Sequence, residues 1–175
     1  MNYHKLFQMK ISFKNIAELI NAGFTGFKKM ETLLNDSTSI PKMKGVYMVL
    51  RINPEPPKFL KTGTGGHFKG KDPNVSISIL NSNWVEDTIV VYIGKAGSEG
   101  SSATLHSRLN QYFKFGQGKN IGHHGGRLIW QLGDSKDLIV CWKALPKDDP
   151  RNIESGLIRD FVSIYSARPF ANLAD

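Results

Sequence analysis

Thr88-Ile89-Val90-Val91-Tyr92-Ile93-Gly94 is the stretch that decides the fold. Its β-branched and aromatic residues and its closing glycine read as a buried strand. Upstream, Gly45-Val46-Tyr47-Met48-Val49-Leu50-Arg51-Ile52 has the same character and reads as a second strand. Side chains alternate along a strand, so Tyr47 falls on a face with Gly45 and Val49, and Tyr92 on a face with Val90 and Gly94. Antiparallel pairing would make the two phenols neighbours on one surface; the alternative is a pair of tyrosines packed in the core.

Outward from these strands the patterns change. Residues 53–74 are rich in Pro, Gly and Lys without an apolar period, and read as an insertion that projects from the hairpin end. Val75 to Leu80 reads as a short strand. Leu105, Leu109, Tyr112 and Phe113 recur at helical spacing, which predicts a helix from Thr104 to Phe115 closed by Gly116. Arg127 to Leu132 and Leu138 to Leu145 read as two further strands. Asp149-Pro150 is a helix start, and that helix runs to about Ser166, before Arg168-Pro169. On the N-terminal side, Ile16, Leu19 and Ile20, then Phe27, Met30, Leu33 and Leu34, fall at helical spacing. The expectation is an α+β domain spanning 1–175. It has a helical extension over 1–41 and a core over 42–175, with a small, mainly antiparallel three-stranded sheet flanked by helices and the insertion over 53–74.

Composition narrows the function. At 175 residues, 40% hydrophobic and 22% charged, the chain is sized for one folded domain rather than a disordered or rod-like protein. Its 23 Lys and Arg against 15 Asp and Glu leave a net charge of +8, which favours polyanionic partners. One cysteine, Cys141, cannot form an internal disulfide, and no apolar run is long enough to span a bilayer. The N-terminus carries no secretory pattern, so the expected location is cytoplasmic.

Two helices carry residues that a purely structural reading leaves unexplained. On the last helix Ile153, Leu157, Ile158, Phe161, Val162 and Tyr165 form an apolar stripe, and Glu154 falls near its middle. A carboxylate there needs a paired Arg or Lys, a metal ion or a cleft. On the earlier helix Arg108 and Tyr112 stand four apart, on one face, where both can reach a single ligand; the alternative is a surface arginine beside a packed tyrosine. Arginine suits phosphate because its planar fork stays charged and donates two parallel hydrogen bonds.

Taken in order, Gly45-Val46-Tyr47, Tyr92-Ile93-Gly94-Lys95-Ala96, Leu105, Arg108, Tyr112, Glu154 and Asn172 resemble the GIY-YIG nuclease superfamily over most of the chain. Gly23-Phe24-Thr25 and the stretch from Gly122 to Leu132 are similar to a bacterial branch of it. The resemblance implies a three-stranded antiparallel sheet flanked by helices, and a metal-dependent endonuclease that hydrolyses DNA phosphodiester bonds. It implies that Glu154 ligates Mg²⁺ or Mn²⁺ and that Arg108 holds the scissile phosphate. Tyr47 would be the base toward the attacking water, with Tyr92 and Lys95 orienting it or easing proton transfer. Tyr112 matches a His or Tyr that some members place four after the Arg, and Asn172 matches a late Asn that supports the site. The long connection between Tyr47 and Tyr92 departs from the family's short hairpin.

Other signals carry less. The glycine-rich segments at 62–66 and 116–126 lack phosphate-loop spacing, and His123 and His124 with Cys141 lack zinc-ligand spacing. His123, His124 and Arg127, together with Lys69 and Lys71, are expected to form a basic rim toward DNA. Cutting both strands from a one-strand site calls for two copies, so a homodimer is an expectation. The alternative to the enzyme is a non-catalytic nucleic-acid-binding module on the same fold.

Overall fold

The computed structural model describes residues 10–173, which build an antiparallel four-stranded sheet with helices on both faces. The strands are β1 (Thr25–Lys29), β2 (Gly45–Leu50), β3 (Val90–Ala96) and β4 (Ile139–Ala144), in the order β1-β4-β2-β3. The helices are α1 (Ile16–Asn21), α2 (Met30–Asn35), α3 (Ile77–Asn83), α4 (Leu105–Gly116) and α5 (Pro150–Tyr165). The pairing of β2 with β3 is antiparallel, as the two quoted segments suggest. No helix among the described residues is long and apolar enough to cross a membrane.

The sheet therefore has one strand more than the three expected. The extra strand, β1, lies inside the stretch expected to be a helical extension, between α1 and α2. Its residues are mostly exposed and carry no apolar alternation, and left-handed backbone at Gly26 (φ +94°) and Phe27 (φ +50°) breaks its register against β4. Such an edge strand is held by backbone pairing, which leaves no periodic mark in a sequence.

Two short strand expectations are also corrected. Val75 to Leu80 instead enters α3, which Ser76 caps by accepting a hydrogen bond from the Ile79 amide; Leu80 is its one buried side chain among mostly exposed neighbours. Arg127 to Leu132 is a tight 3-10 turn over Arg127–Gln131, entered through left-handed Gly126. Leu128, Ile129, Trp130, Gln131 and Leu132 are all buried in succession. A short apolar run buried on every side looks the same in sequence whether it is strand or turn.

The strands' two faces seed two cores. On one face Tyr47, Val49 and Tyr92 pack against Leu105, Leu109, Tyr112 and Phe113 of α4 and against Trp130. On the other, Val46, Met48, Ile93 and Cys141 pack against Phe161, Ile153, Leu157 and Ile158 of α5. Helix α5 begins as its sequence indicates: Asp149 accepts from the Arg151 amide and Pro150 occupies the first turn.

The insertion does not project. After Leu50 the chain leaves the hairpin end, but residues 58–66 return along the 3-10 turn and the C-terminus of α4. The buried Gln131 side chain holds this return. Its Nε2 donates to the carbonyls of Leu60 (3.0 Å) and Val75 (2.9 Å), and its Oε1 accepts from the Val75 amide (2.9 Å). The Gly66 amide donates to the Phe115 carbonyl (2.9 Å). A second tie joins buried Arg51, through Nε, to Asp134 (2.8 Å), with the guanidinium also donating to the Asn53 and Glu55 carbonyls. Gln131→Leu keeps the volume but orphans three backbone groups, so it is expected to destabilise by about 2 kcal/mol or more. That corresponds to a melting-point drop of about 4–8 °C for a chain of this size. A melting point equal to the wild type's would show that the insertion is held without Gln131.

Candidate active site

The β2–β3 register assembles the centre of the site. Tyr47 stands opposite Gly94, and a Cβ on Gly94 would lie 2.4 Å from Tyr47 Cζ, so the phenol occupies space that only glycine leaves open. Tyr92 stands opposite Val49, and its ring meets Tyr47 edge-on with centroids 5.9 Å apart. Leu50 pairs with Val90, which makes Val91 the extra residue of a bulge. In consequence Val90 sits in the opposite core from Tyr92, not on a shared face as simple alternation suggests. Tyr112 adds a third ring 5.9 Å from Tyr92, and its hydroxyl donates to the Gly126 carbonyl (2.8 Å).

All three phenols are driven toward their protonated form by burial. Tyr47 and Tyr112 rise well above the usual tyrosine range, and Tyr92 rises to about 12. For Tyr92, a hydrogen bond with Tyr47 and the Arg108 cation work against burial, whereas the Glu154 carboxylate adds to it. Tyr92 keeps 6% of its surface exposed, against 1% for Tyr47 and none for Tyr112. All three phenols are thus buried, with Tyr92 the least completely enclosed. Tyr47, expected as the base, is sealed in the core beside Tyr92 and Tyr112.

The charged groups approach the edge strand from its two sides. Arg108, partly exposed in the second turn of α4, acts on Tyr47, Tyr92 and His123. Glu154, partly buried near the start of α5, belongs to the opposite helix layer, yet its charge reaches Tyr92. The candidate residues thus do not share one face of the sheet: Tyr47, Tyr92 and Tyr112 lie in the α4-side core, and Glu154 comes from the α5 layer. Lys95 pairs with Val46, and alternation places it on the α5 side, away from the phenols it was expected to assist. Asn172 closes part of the same edge: it accepts from the Ile93 amide (2.9 Å) and donates to the Ile93 carbonyl (2.8 Å), as an added strand would.

The expected basic rim separates into two kinds of residue. Lys69, Lys71 and His124 are exposed and Arg127 is partly exposed. His123 is instead buried, stacked on Tyr112 with ring centroids 4.4 Å apart. Burial, aided by Arg108, lowers its pKa to about 3 and keeps it neutral. It is therefore not a cationic contact. Sequence reading also missed what holds these rings in place, namely Gly125 and Gly126. A Cβ on Gly125 would come 2.8 Å from the Tyr92 hydroxyl, and one on left-handed Gly126 within about 3 Å of both Tyr92 and Tyr112. The adjacent glycines were the available signal, but their neighbours are distant in sequence.

No group of three or more His, Cys, Asp or Glu suited to a metal ion occurs among the described residues. Glu154 alone is the kind of donor that Mg²⁺ accepts, since this ion usually takes one or two carboxylates, several waters and substrate phosphate oxygens. Comparison with protein-family models, curated proteins and solved structures finds no match to the chain.

The neutral His123 has a stability consequence of definite sign. In the unfolded chain it takes up a proton near its ordinary pKa of 6.5, whereas in the fold it does so only near 3. The unfolded state binds more protons between these values, so this contribution is complete above pH 6.5 and is lost as pH falls toward 3. Urea-unfolding midpoints measured from pH 7 to pH 4 are expected to fall less in His123→Phe than in the wild type. Parallel pH profiles would mean that His123 is charged in the fold.

Proposed function

We propose that this protein is a divalent-metal-dependent endonuclease of the GIY-YIG type, acting on DNA. The observation that carries the reading is the position of Tyr92: a buried phenol on the edge strand β3, acted on by the Arg108 cation of α4 and by the Glu154 carboxylate of α5. A phosphodiester lying along that edge would meet a guanidinium, a phenol and a carboxylate together. The net charge of +8 adds general attraction for such a polymer.

In this reading Arg108 binds a non-bridging phosphate oxygen and stabilises the charge that develops there. Tyr92, protonated at neutral pH, orients the attacking water or donates a hydrogen bond to the phosphate. Tyr47 lies behind it and passes on the influence of Arg108, while Tyr112 and Gly126 fix the wall. Glu154 would hold Mg²⁺ or Mn²⁺, which when bound supplies Lewis-acid polarisation of the phosphate. Asn172 keeps the edge strand in register beside the site.

The sealed position of Tyr47 favours a second reading, a nucleic-acid-binding module without catalysis on the same scaffold. Supercoiled plasmid incubated with Mg²⁺, Mn²⁺ or EDTA separates the two. Nicked or linear product in the metal lanes alone, lost in Glu154→Gln, is the expected outcome; plasmid that stays intact with bound protein selects the module. Cleavage by Glu154→Gln at the wild-type rate would remove Glu154 from the site.

Arg108→Ala is expected to lower kcat by about 10²–10³-fold while weakening DNA binding only a few-fold, because affinity is spread over many cations and Arg108 faces the developing charge. Single-turnover rates and binding isotherms at one salt concentration give both quantities. Equal losses would make Arg108 a simple phosphate anchor.

A further inference from the structure

A cleft of about 290 Å³ opens between the turn at residues 66–73 and the loop at residues 122–127, at the small end of the range for ligand sites. Its lining includes Phe68, Lys69, Lys71, His123, His124 and Arg127. Asp72 is also at its wall, where it accepts from Asn74 and faces His67 at 3.7 Å.

Three observations distinguish this cleft from an ordinary surface groove. The first is an excess of positive charge: Lys69, Lys71 and Arg127 line the cleft beside one carboxylate, Asp72, and Arg127 donates to the neutral His124 ring (2.8 Å). Like charges facing each other across a cleft repel, and an anion between them relieves that cost. The second is an exposed aromatic: Phe68 lies against Gly122, keeps 38% of its surface open, and has the Lys69 ammonium 5.4 Å from its ring centre. The third is His123, 1% exposed at the cleft's inner end, whose two ring nitrogens make no hydrogen bond among the described residues. Buried polar atoms of this kind are rare in native proteins and call for a partner.

We propose that this cleft holds one unpaired nucleotide of a DNA strand, with its base stacked on Phe68, its phosphates on Lys69, Lys71 and Arg127, and the base edge offered to His123. An aromatic platform among cations is the combination that single-stranded nucleic acid uses. The volume suits one nucleotide and not a duplex. His123 stacks on Tyr112, which touches Tyr92, so the cleft adjoins the site at the sheet edge. The inference rests on the endonuclease reading for the identity of the polymer, but its binding test does not require cleavage.

The test is fluorescence anisotropy of a labelled oligothymidylate and of a duplex, both in EDTA. Phe68→Ala, an exposed position that does not endanger folding, is expected to weaken single-strand binding by about 10-fold, the scale of one stacked base, and to leave duplex binding nearly unchanged. Lys69→Gln with Lys71→Gln is expected to lower the dependence of affinity on salt by slightly more than one unit of slope. His123→Phe keeps the ring stack and is expected to weaken single-strand binding several-fold. Wild-type single-strand affinity in Phe68→Ala, or equal losses for single strand and duplex, overturns the proposal. Plasmid cleavage by Glu154→Gln with binding lost in Phe68→Ala would overturn the active-site reading and leave the cleft standing. Wild-type single-strand binding in Phe68→Ala beside an inactive Glu154→Gln would do the reverse.

Discussion

The structure depends on one close approach: the Tyr47 ring filling the place of a side chain at Gly94. With β2 and β3 antiparallel and Tyr47 opposite Gly94, the phenol lies across its neighbour strand, and any Cβ at position 94 would stand inside the ring's contact distance. That packing brings Tyr47 against Tyr92, and Tyr92 against Tyr112 of α4. It links the sheet, the helix and the loop at residues 122–126 into one wall. Slipping β3 by one residue against β2 would turn Tyr92 to the α5 side while Tyr47 stayed on the α4 side, and dissolve the arrangement.

Burial gives this wall its chemical character. Phenols in a dry environment hold their protons, and the least enclosed of the three, Tyr92, sits on the edge strand. The edge also explains how groups from opposite helix layers act on one side chain. Both α4 and α5 pack against β3, one on each face, so a residue of that strand lies between the two layers. Asn172 and Ala171 occupy part of the edge by hydrogen bonding to Ile93 and Val91, which guards it against pairing with another chain.

The insertion changes the meaning of the loops it touches. Residues expected to lie free at a hairpin end are tied down by Gln131 and by backbone bonds to Phe115 and Trp130. Docked there, they place Phe68, Lys69 and Lys71 opposite His124 and Arg127. The result is a concave, basic surface where a flexible arm would have offered only scattered charge.

Much of this was legible from local pattern. The β2 and β3 segments, the Asp149-Pro150 start of α5, the capped α4 and the placement of Glu154 within an apolar stripe all follow from spacings of two or of three to four residues, which chemistry along the chain dictates by itself. The tertiary structure alone decided the rest. Strand β1 has no apolar alternation and exists only because β4 offers it an edge. The turn at Arg127–Gln131 is apolar on every side, so its sequence does not distinguish it from a strand. The bulge at Val91, the neutral buried state of His123 and the straddling of β3 by Arg108 and Glu154 arise from contacts between segments far apart in the chain. Local spacing records which face a residue takes on its own element, but which elements meet at that face is set by packing.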